Sequence, residues 1–266
     1  MIIHAEKEAG CLFRSGIPSA GHKQPKRLRV LQERLSKQVG RAVFDYKMIE
    51  DGDRVLVALS GGKDSLVLLK VLQSRRAFVP IRYELVPVYV DLGDNAVPVD
   101  LLRRRTAEEG LELIVKKHDI FRGKGREEVT CFWCAWNRRK ALFQAAQELG
   151  CRKVALGHHK DDIVETVLMN LLFEGEISAM APRQEMFKGR VVLIRPLAYA
   201  EERLIERFAA SLHLEVPSVP CPHGEVSQRA FAKRIIREAC RVAPGAKTNI
   251  FRSLTRVKKE YLLSPA

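Results

Sequence analysis

Ser60-Gly61-Gly62-Lys63-Asp64-Ser65 follows the apolar run 55–59 (VLVAL) and opens a second apolar stretch over 66–72. The pattern reads as a buried strand, a glycine turn and a helix start. That arrangement makes an anion site, because the free N–H groups of the first helical turn point outward and the helix dipole favours negative charge. Gly61 and Gly62 let the backbone approach a phosphate closely. Lys63 supplies a point charge. Asp64 repels phosphate directly and makes sense where a cation such as Mg²⁺ sits between them. The string is not a Walker A loop, which needs Gly at position 57 and Ser or Thr at position 64, where Val57 and Asp64 stand.

Working outward, the strand–helix alternation continues. The sequence predicts a helix over 64–75, a strand over 83–91 ending on Asp91, a helix over 98–109 and a strand over 111–117. Further strands are expected at 153–157 and 191–195, with helices between them. This argues for an open, mostly parallel α/β sheet with helices on both faces. Asp91 lies at the carboxyl end of a strand, where such sheets bind ligands, and reads either as a nucleotide contact or as a cap on the next turn. Residues 174–190 read as a long loop suited to a lid or substrate contact. Residues 1–25, with Cys11, read as a flexible extension and 26–50 as a basic helical arm. Residues 51–217 read as the main domain and 218–266 as a basic helical C-terminal segment.

The chain of 266 residues carries 46 Lys and Arg against 32 Asp and Glu, a net +14. Between 229 and 259 there are ten Lys/Arg and one acid, Glu238. That asymmetry points to a nucleic-acid partner, contacted by the cations of 26–41 and 229–259. Glu6, Lys7 and Glu8 interrupt any N-terminal apolar core, and no stretch of about 18 apolar residues exists. A cytoplasmic protein without a membrane partner is the expectation. Six cysteines in such a chain suggest metal or redox chemistry rather than a disulfide scaffold.

Cys131-Phe132-Trp133-Cys134 is a CxxC pair, and Cys221 is a third candidate thiol. Three readings are open: a dithiol switch, a zinc site completed by His223, or an iron–sulfur cluster held by three cysteines with one iron free. Cys151 and Cys240 read as packing residues. Phe132 and Trp133 read as shields over a metal site or as a stacking surface for a base.

SGGKDS, then CFWC followed by Arg138-Arg139, then ALGHHKDDIVETVLMNLLF, IRPLAY, and a Pro-Cys at Cys221 followed by Gln228-Arg229 occur in this order. The chain resembles the tRNA 2-thiocytidine synthetases, cytidine-32 sulfurtransferases of the N-type PP-loop ATP pyrophosphatases. It is similar, less closely, to the tRNA 2-thiouridine synthetases. The resemblance runs over about 28–257 and departs where Cys221-Pro222-His223-Gly224 replaces a second CxxC. It implies the adenine nucleotide alpha-hydrolase-like (PP-loop) fold.

The resemblance also implies roles. Ser60, Gly61, Gly62, Lys63, Asp64 and Ser65 would grip the phosphates of ATP, with Mg²⁺ on Asp64. Gly157 and His158 would join the nucleotide site, and Asp162, with Asp161 beside it, would serve catalysis. Arg138 would assist. Cys131, Cys134 and Cys221 would hold a [4Fe–4S] cluster. ATP would adenylate the C2 oxygen of a tRNA cytidine, AMP would leave, and sulfur would replace it. Implied partners are tRNA, a cysteine desulfurase or other sulfur donor, and a second copy in a homodimer. Two rivals remain: a PP-loop ligase that needs no cluster, and a zinc-bearing RNA-binding protein without enzymatic function.

Overall fold

A computed structural model describes residues 25–93, 97–121, 128–214 and 227–263. The expected extension apart from its last residue, Cys11, Cys221 and His223 lie outside these residues. For Cys131 the structure describes the backbone alone.

Six strands form one sheet in the order β3-β2-β1-β4-β6-β5. They are β1 (Asp53–Leu59), β2 (Tyr83–Asp91), β3 (Ile114–Lys117), β4 (Lys153–Ala155), β5 (Arg183–Met186) and β6 (Val191–Ile194). β1 pairs in parallel with β2, Asp53 opposite Tyr83 through Leu59 opposite Tyr89, and with β4 on its other side. β3 and β6 extend the parallel set, and β5 runs antiparallel on β6. The fold class is therefore the expected one. The long loop expected over 174–190 is corrected: it contains β5, whose polar sequence RQEM carried no apolar alternation to mark an edge strand.

The central strand is apolar on both sides, as a parallel strand covered by two helical layers must be. Val55, Val57 and Leu59 face a core shared with α1 (Lys26–Asp45), α2 (Lys63–Arg75) and α6 (Glu202–Ser211). Leu56 and Ala58 face the opposite core, filled by Ala145 and Ala146 of α4 (Cys131–Glu148). In α1, Leu28, Leu31, Leu35, Val39 and Ala42 are buried at helical spacing, while Lys26, Arg27, Arg29, Arg34, Lys37 and Arg41 stay outside that seam. α1 covers most of the basic arm expected over 26–50, and its apolar face belongs to the main core.

α3 (Val99–Glu108) follows β2, and α5 (Lys160–Met169) follows β4 and continues into a turn of π-helix, Asn170–Glu174. α7 (Gln228–Val242) and α8 (Ala246–Ser253) then pack against α5. The chain builds β2 and β3 on one side of β1 and β4 and β6 on the other. The strand order therefore reverses between β1 and β4, and the crevice beyond their carboxyl ends is where an open α/β sheet takes its ligand.

Candidate active site

The six-residue loop fills that crevice. Gly61 turns the chain with φ 81°, a conformation that side chains rarely adopt, and a Cβ there would also meet Val97 at 2.6 Å. The two serines brace the turn: Ser65 Oγ accepts from Ser60 N–H at 3.2 Å and donates to Gly62 O at 2.9 Å. Ser60 Oγ accepts from Gly62 N–H at 3.3 Å. Lys63 and Asp64 then open α2, so the loop N–H groups and the helix N-terminus share one mouth.

Asp64 is half-buried; its Oδ1 is buried and accepts no hydrogen bond, although Lys63 Nζ lies 3.5 Å away. Burial pushes its pKa up, against the pull of Lys63. An under-satisfied carboxylate oxygen beside an anion cradle is the donor that a hard divalent cation takes, so these residues fit Mg²⁺. Lys63 also approaches Glu202 at 3.5 Å and Glu206 at 3.9 Å. Burial would lower its pKa, but the carboxylates of Asp64, Glu202 and Glu206 outweigh that and hold it above the usual value.

The second wall comes from the end of β4. Gly157 is required there because a Cβ would stand 3.0 Å from Ser65 N and 3.1 Å from Asp64 C, against the backbone of the loop itself. His158 follows, and burial lowers its pKa to about 4, so it is a neutral imidazole at pH 7. Ser60, Asp64, Tyr89, Arg138, His158 and Asp162 are among the residues that line one cleft of about 820 Å³, counting its open mouth. Tyr89 and Leu142, which also line it, carried no motif and went unread as site residues in the sequence.

The two aspartates of α5 part company. Asp162 lines the cleft, and its Oδ2 accepts the His159 backbone N–H at 2.9 Å, capping its own helix. Asp161 turns away: it accepts Glu202 N–H at 2.8 Å and pairs with Lys247 of α8. Burial raises the Asp161 pKa less than the Lys247 and Glu202 contacts lower it. Asp91 Oδ1 accepts Gly93 N–H at 2.9 Å, the capping arrangement, and Asp91 is not among the residues lining the cleft.

Behind the cleft lies a charge cluster that the motifs did not announce. Glu165, 2% exposed, faces Arg229 at 3.5 Å and Lys233 at 3.6 Å. Arg229 also approaches Asp162 at 3.6 Å, and Lys233 approaches Glu202 at 3.6 Å. Burial raises the Glu165 pKa to about 7, against both cations. Three of the ten basic residues of 229–259 are thus engaged with carboxylates of the site. The sequence signal was Glu165 three residues after Asp162, on the same helix face.

α4 ties the cysteine pair to the cleft. Thr130 Oγ1 caps it by accepting Trp133 N–H at 3.2 Å. Cys131 and Cys134 occupy its first turn at i and i+3, and Cys134 is a half-buried free thiol. Arg138, two turns on, reaches the cleft, and its buried Nε has no hydrogen-bond partner. Cys151 is buried as a packing residue, while Cys240 is half-buried at the α5–α7 side.

Among the described residues no helix is long and apolar enough to cross a membrane. The PP-loop domain family model matches residues 31–217. The chain is 41% identical over 237 residues to the tRNA-cytidine(32) 2-sulfurtransferase of Geobacter sulfurreducens, covering 87% of this chain and 92% of that one. It is 40% identical over 240 residues to the enzyme of the same name from Alkalilimnicola ehrlichii, covering 88% and 76%. Among solved structures, the U34-tRNA thiolase NcsA of Methanococcus maripaludis, described with its [4Fe-4S] cluster, shares the fold. It has a TM-score of 0.71 and 24% identity over 90% of this chain and 82% of its own. With a glycine-turn anion cradle at the sheet's switch point and relatives this similar over most of its length, the chain belongs to the tRNA-cytidine(32) 2-sulfurtransferase family, sulfurtransferases carrying a PP-loop domain.

Proposed function

We propose that this chain thiolates cytidine 32 of tRNA, cleaving ATP to AMP and pyrophosphate to activate the C2 oxygen. The observation that carries the reading is that α4 bears Cys131 and Cys134 on its first turn and places Arg138 in the cleft that holds the phosphate loop. Arg138 lies seven positions along the helix from Cys131, about 10 Å of rise. Sulfur chemistry and nucleotide chemistry thus meet along one rigid element. Relatives at about 40% identity bear the name of that activity.

The chemistry follows from the residues. The C2 oxygen of cytosine is a poor leaving group, and transfer of AMP to it makes it a good one. N–H groups of the loop and the α2 N-terminus, with Lys63, neutralise the pyrophosphate as it departs. Lys63 must exchange its Glu202 and Glu206 partners for phosphate to do so. Asp64 would hold Mg²⁺, which shields charge on the phosphates. Asp162 is positioned at the cleft wall by its bond to His159 N–H and orients the activated base or its proton. Neutral His158 lines the nucleotide pocket without adding charge. Arg138 brings a cation to the side of the cleft nearest the cysteines.

Cys131, Cys134 and Cys221 would hold a [4Fe–4S] cluster, which supplies a sulfur-binding centre when present; the archaeal thiolase of the same fold is described with one. A cysteine desulfurase or another donor would provide the sulfur. The test is anaerobic: iron-reconstituted protein, ATP, sulfide and unmodified tRNA transcript, followed by nucleoside mass spectrometry and AMP assay. The expected result is 2-thiocytidine mapped to position 32 with tRNA-dependent AMP release, abolished by Asp64→Ala. Thiouridine as the product, or full activity in Cys131→Ala, would overturn the reading.

A further inference from the structure

We propose that a groove between α4 and the β5–β6 hairpin is a stacking site for single-stranded RNA beside the catalytic cleft. The inference rests on the tRNA thiolation reading and deepens it. Trp136, Phe143 and Phe187 give the groove its aromatic surface, and Arg139, Lys140 and Arg190 give it its charge. Among the described residues no carboxylate lines it, and no ion pair engages those three cations. Aromatic faces interleaved with unpaired cations match bases and phosphates together, and a single strand presents both. A second copy of a chain of net charge +14 is a poor electrostatic match for the same surface.

The hairpin tip is built to display a ring. Phe187 and Lys188 hold φ of 52° and 58°, left-handed values that non-glycine residues rarely adopt. Arg152 Nε donates to Gly189 O at 3.1 Å and fastens the tip. Phe187 is left 57% exposed, with its ring edge-on to Phe143 at 5.3 Å. Along α4, Trp136 stacks on Trp133 at 5.6 Å, and Lys140 Nζ lies 5.3 Å from the Trp136 ring centroid. Trp133 and Trp136 are both exposed.

Position relative to the chemistry completes the case. Arg138 and Leu142 of α4 line the catalytic cleft, whereas Arg139, Lys140 and Phe143 line the groove. Adjacent faces of one helix therefore serve both, and a strand lying on α4 leads from one to the other. The helix between Trp133 and Phe143 rises about 15 Å, room for a short single-stranded run. A loop base splayed toward the cleft then keeps its neighbours stacked outside.

The chain contains two tryptophans, Trp133 and Trp136, so its intrinsic fluorescence reports this surface. The experiment titrates the full-length protein with an unmodified tRNA transcript and with a single-stranded RNA heptamer. Affinity is followed in parallel by anisotropy of labelled RNA. Both probes should quench the tryptophans, and Phe187→Ala should weaken binding about tenfold. Arg139→Ala with Arg190→Ala should flatten the salt dependence by about 1.4 in log–log slope. ATP binding without RNA should be unchanged in all of these, and circular dichroism should show intact folds; Phe187→Leu serves as a variant that keeps bulk without a stacking face.

Wild-type affinity in all these variants, with no change in quenching, overturns the groove while leaving thiolation standing. An acidic protein as the true occupant would give that result. Failure of the wild-type protein to bind either RNA overturns both readings.

Discussion

Gly157→Ala tests whether the end of β4 sets the geometry of the phosphate loop. Gly157 has no left-handed φ, so the added methyl costs nothing in backbone strain, and the effect is steric alone. The new Cβ would lie 3.0 Å from Ser65 N, 3.1 Å from Asp64 C and 3.2 Å from Ser65 Cα. All three are backbone atoms of the first turn of α2, with no flexible end to swing aside. The loop and β4 must separate by about 0.4 Å to restore ordinary contact. Overpacking of this kind costs about 1–3 kcal/mol. For a chain of this size that lowers Tm by ~3–10 °C. Displacing the loop N–H groups from the phosphates should raise the KM for ATP by about three- to tenfold. Gly62→Ala is the control, because its Cβ meets only Ser60 Oγ at 3.4 Å, an ordinary contact. Gly62→Ala should leave Tm within ~2 °C of wild type. The measurement is differential scanning calorimetry beside pyrophosphate release at varied ATP. Wild-type Tm and KM in Gly157→Ala would refute the close packing of β4 against the loop.

Lys63→Ala should cut AMP formation by about 100-fold while moving Tm little, because its ion pairs are partly exposed and Glu202 keeps Lys233; a large Tm loss with activity retained would contradict this. Asp161→Asn should destabilise by about 2 kcal/mol by unhooking Lys247 and the cap on α6, and a double variant with Lys247→Ala should be no worse than the single. Asp162→Asn, in contrast, should lower activity more than stability, read from denaturant curves beside the thiolation assay. Glu165→Gln should change the pH profile of Tm. A folded-state pKa of about 7 against 4.5 means the wild type loses stability as pH rises through that window, at most ~3 kcal/mol. His158, at about 4 against 6.5, acts oppositely and gains stability as pH rises from 4 to 6.5. The two offset each other below pH 6.5 in the wild type, so Glu165→Gln should show Tm climbing from pH 4 to 6.5. Parallel Tm curves for the two proteins would rule this out.

The parallel sheet was readable because its strands are local apolar runs between glycine and polar punctuation, and 83–91 matches β2 residue for residue. β5 escaped because RQEM is polar and is held as a strand only by pairing with β6, a contact the local sequence does not encode. In the site, the loop, Gly157, Asp162 and Arg138 were legible as motif positions on recognisable elements. The division of labour between Asp161 and Asp162 was not, since both are acids in one helical turn and only the approach of α6 and α8 separates them. The partners of Lys63 were illegible for the same reason: Glu202 and Glu206 lie about 140 residues away and look like solvated charges of an amphipathic helix.

The carboxylates around α5 also decide what the C-terminal segment is for. Asp161 and Glu165 are buried, and Asp162 is nearly so. Three acids so close repel one another and lose hydration, a cost that only nearby cations offset. Arg229, Lys233 and Lys247 supply those cations, and all three lie beyond the match to the PP-loop domain, which ends at 217. The basic character of 229–259 therefore has two sources. Part of it faces solvent, where phosphate can reach it. The rest is the counter-charge for the α5 carboxylates that stand at and behind the cleft wall, and it ties α7 and α8 to the element that carries Asp162.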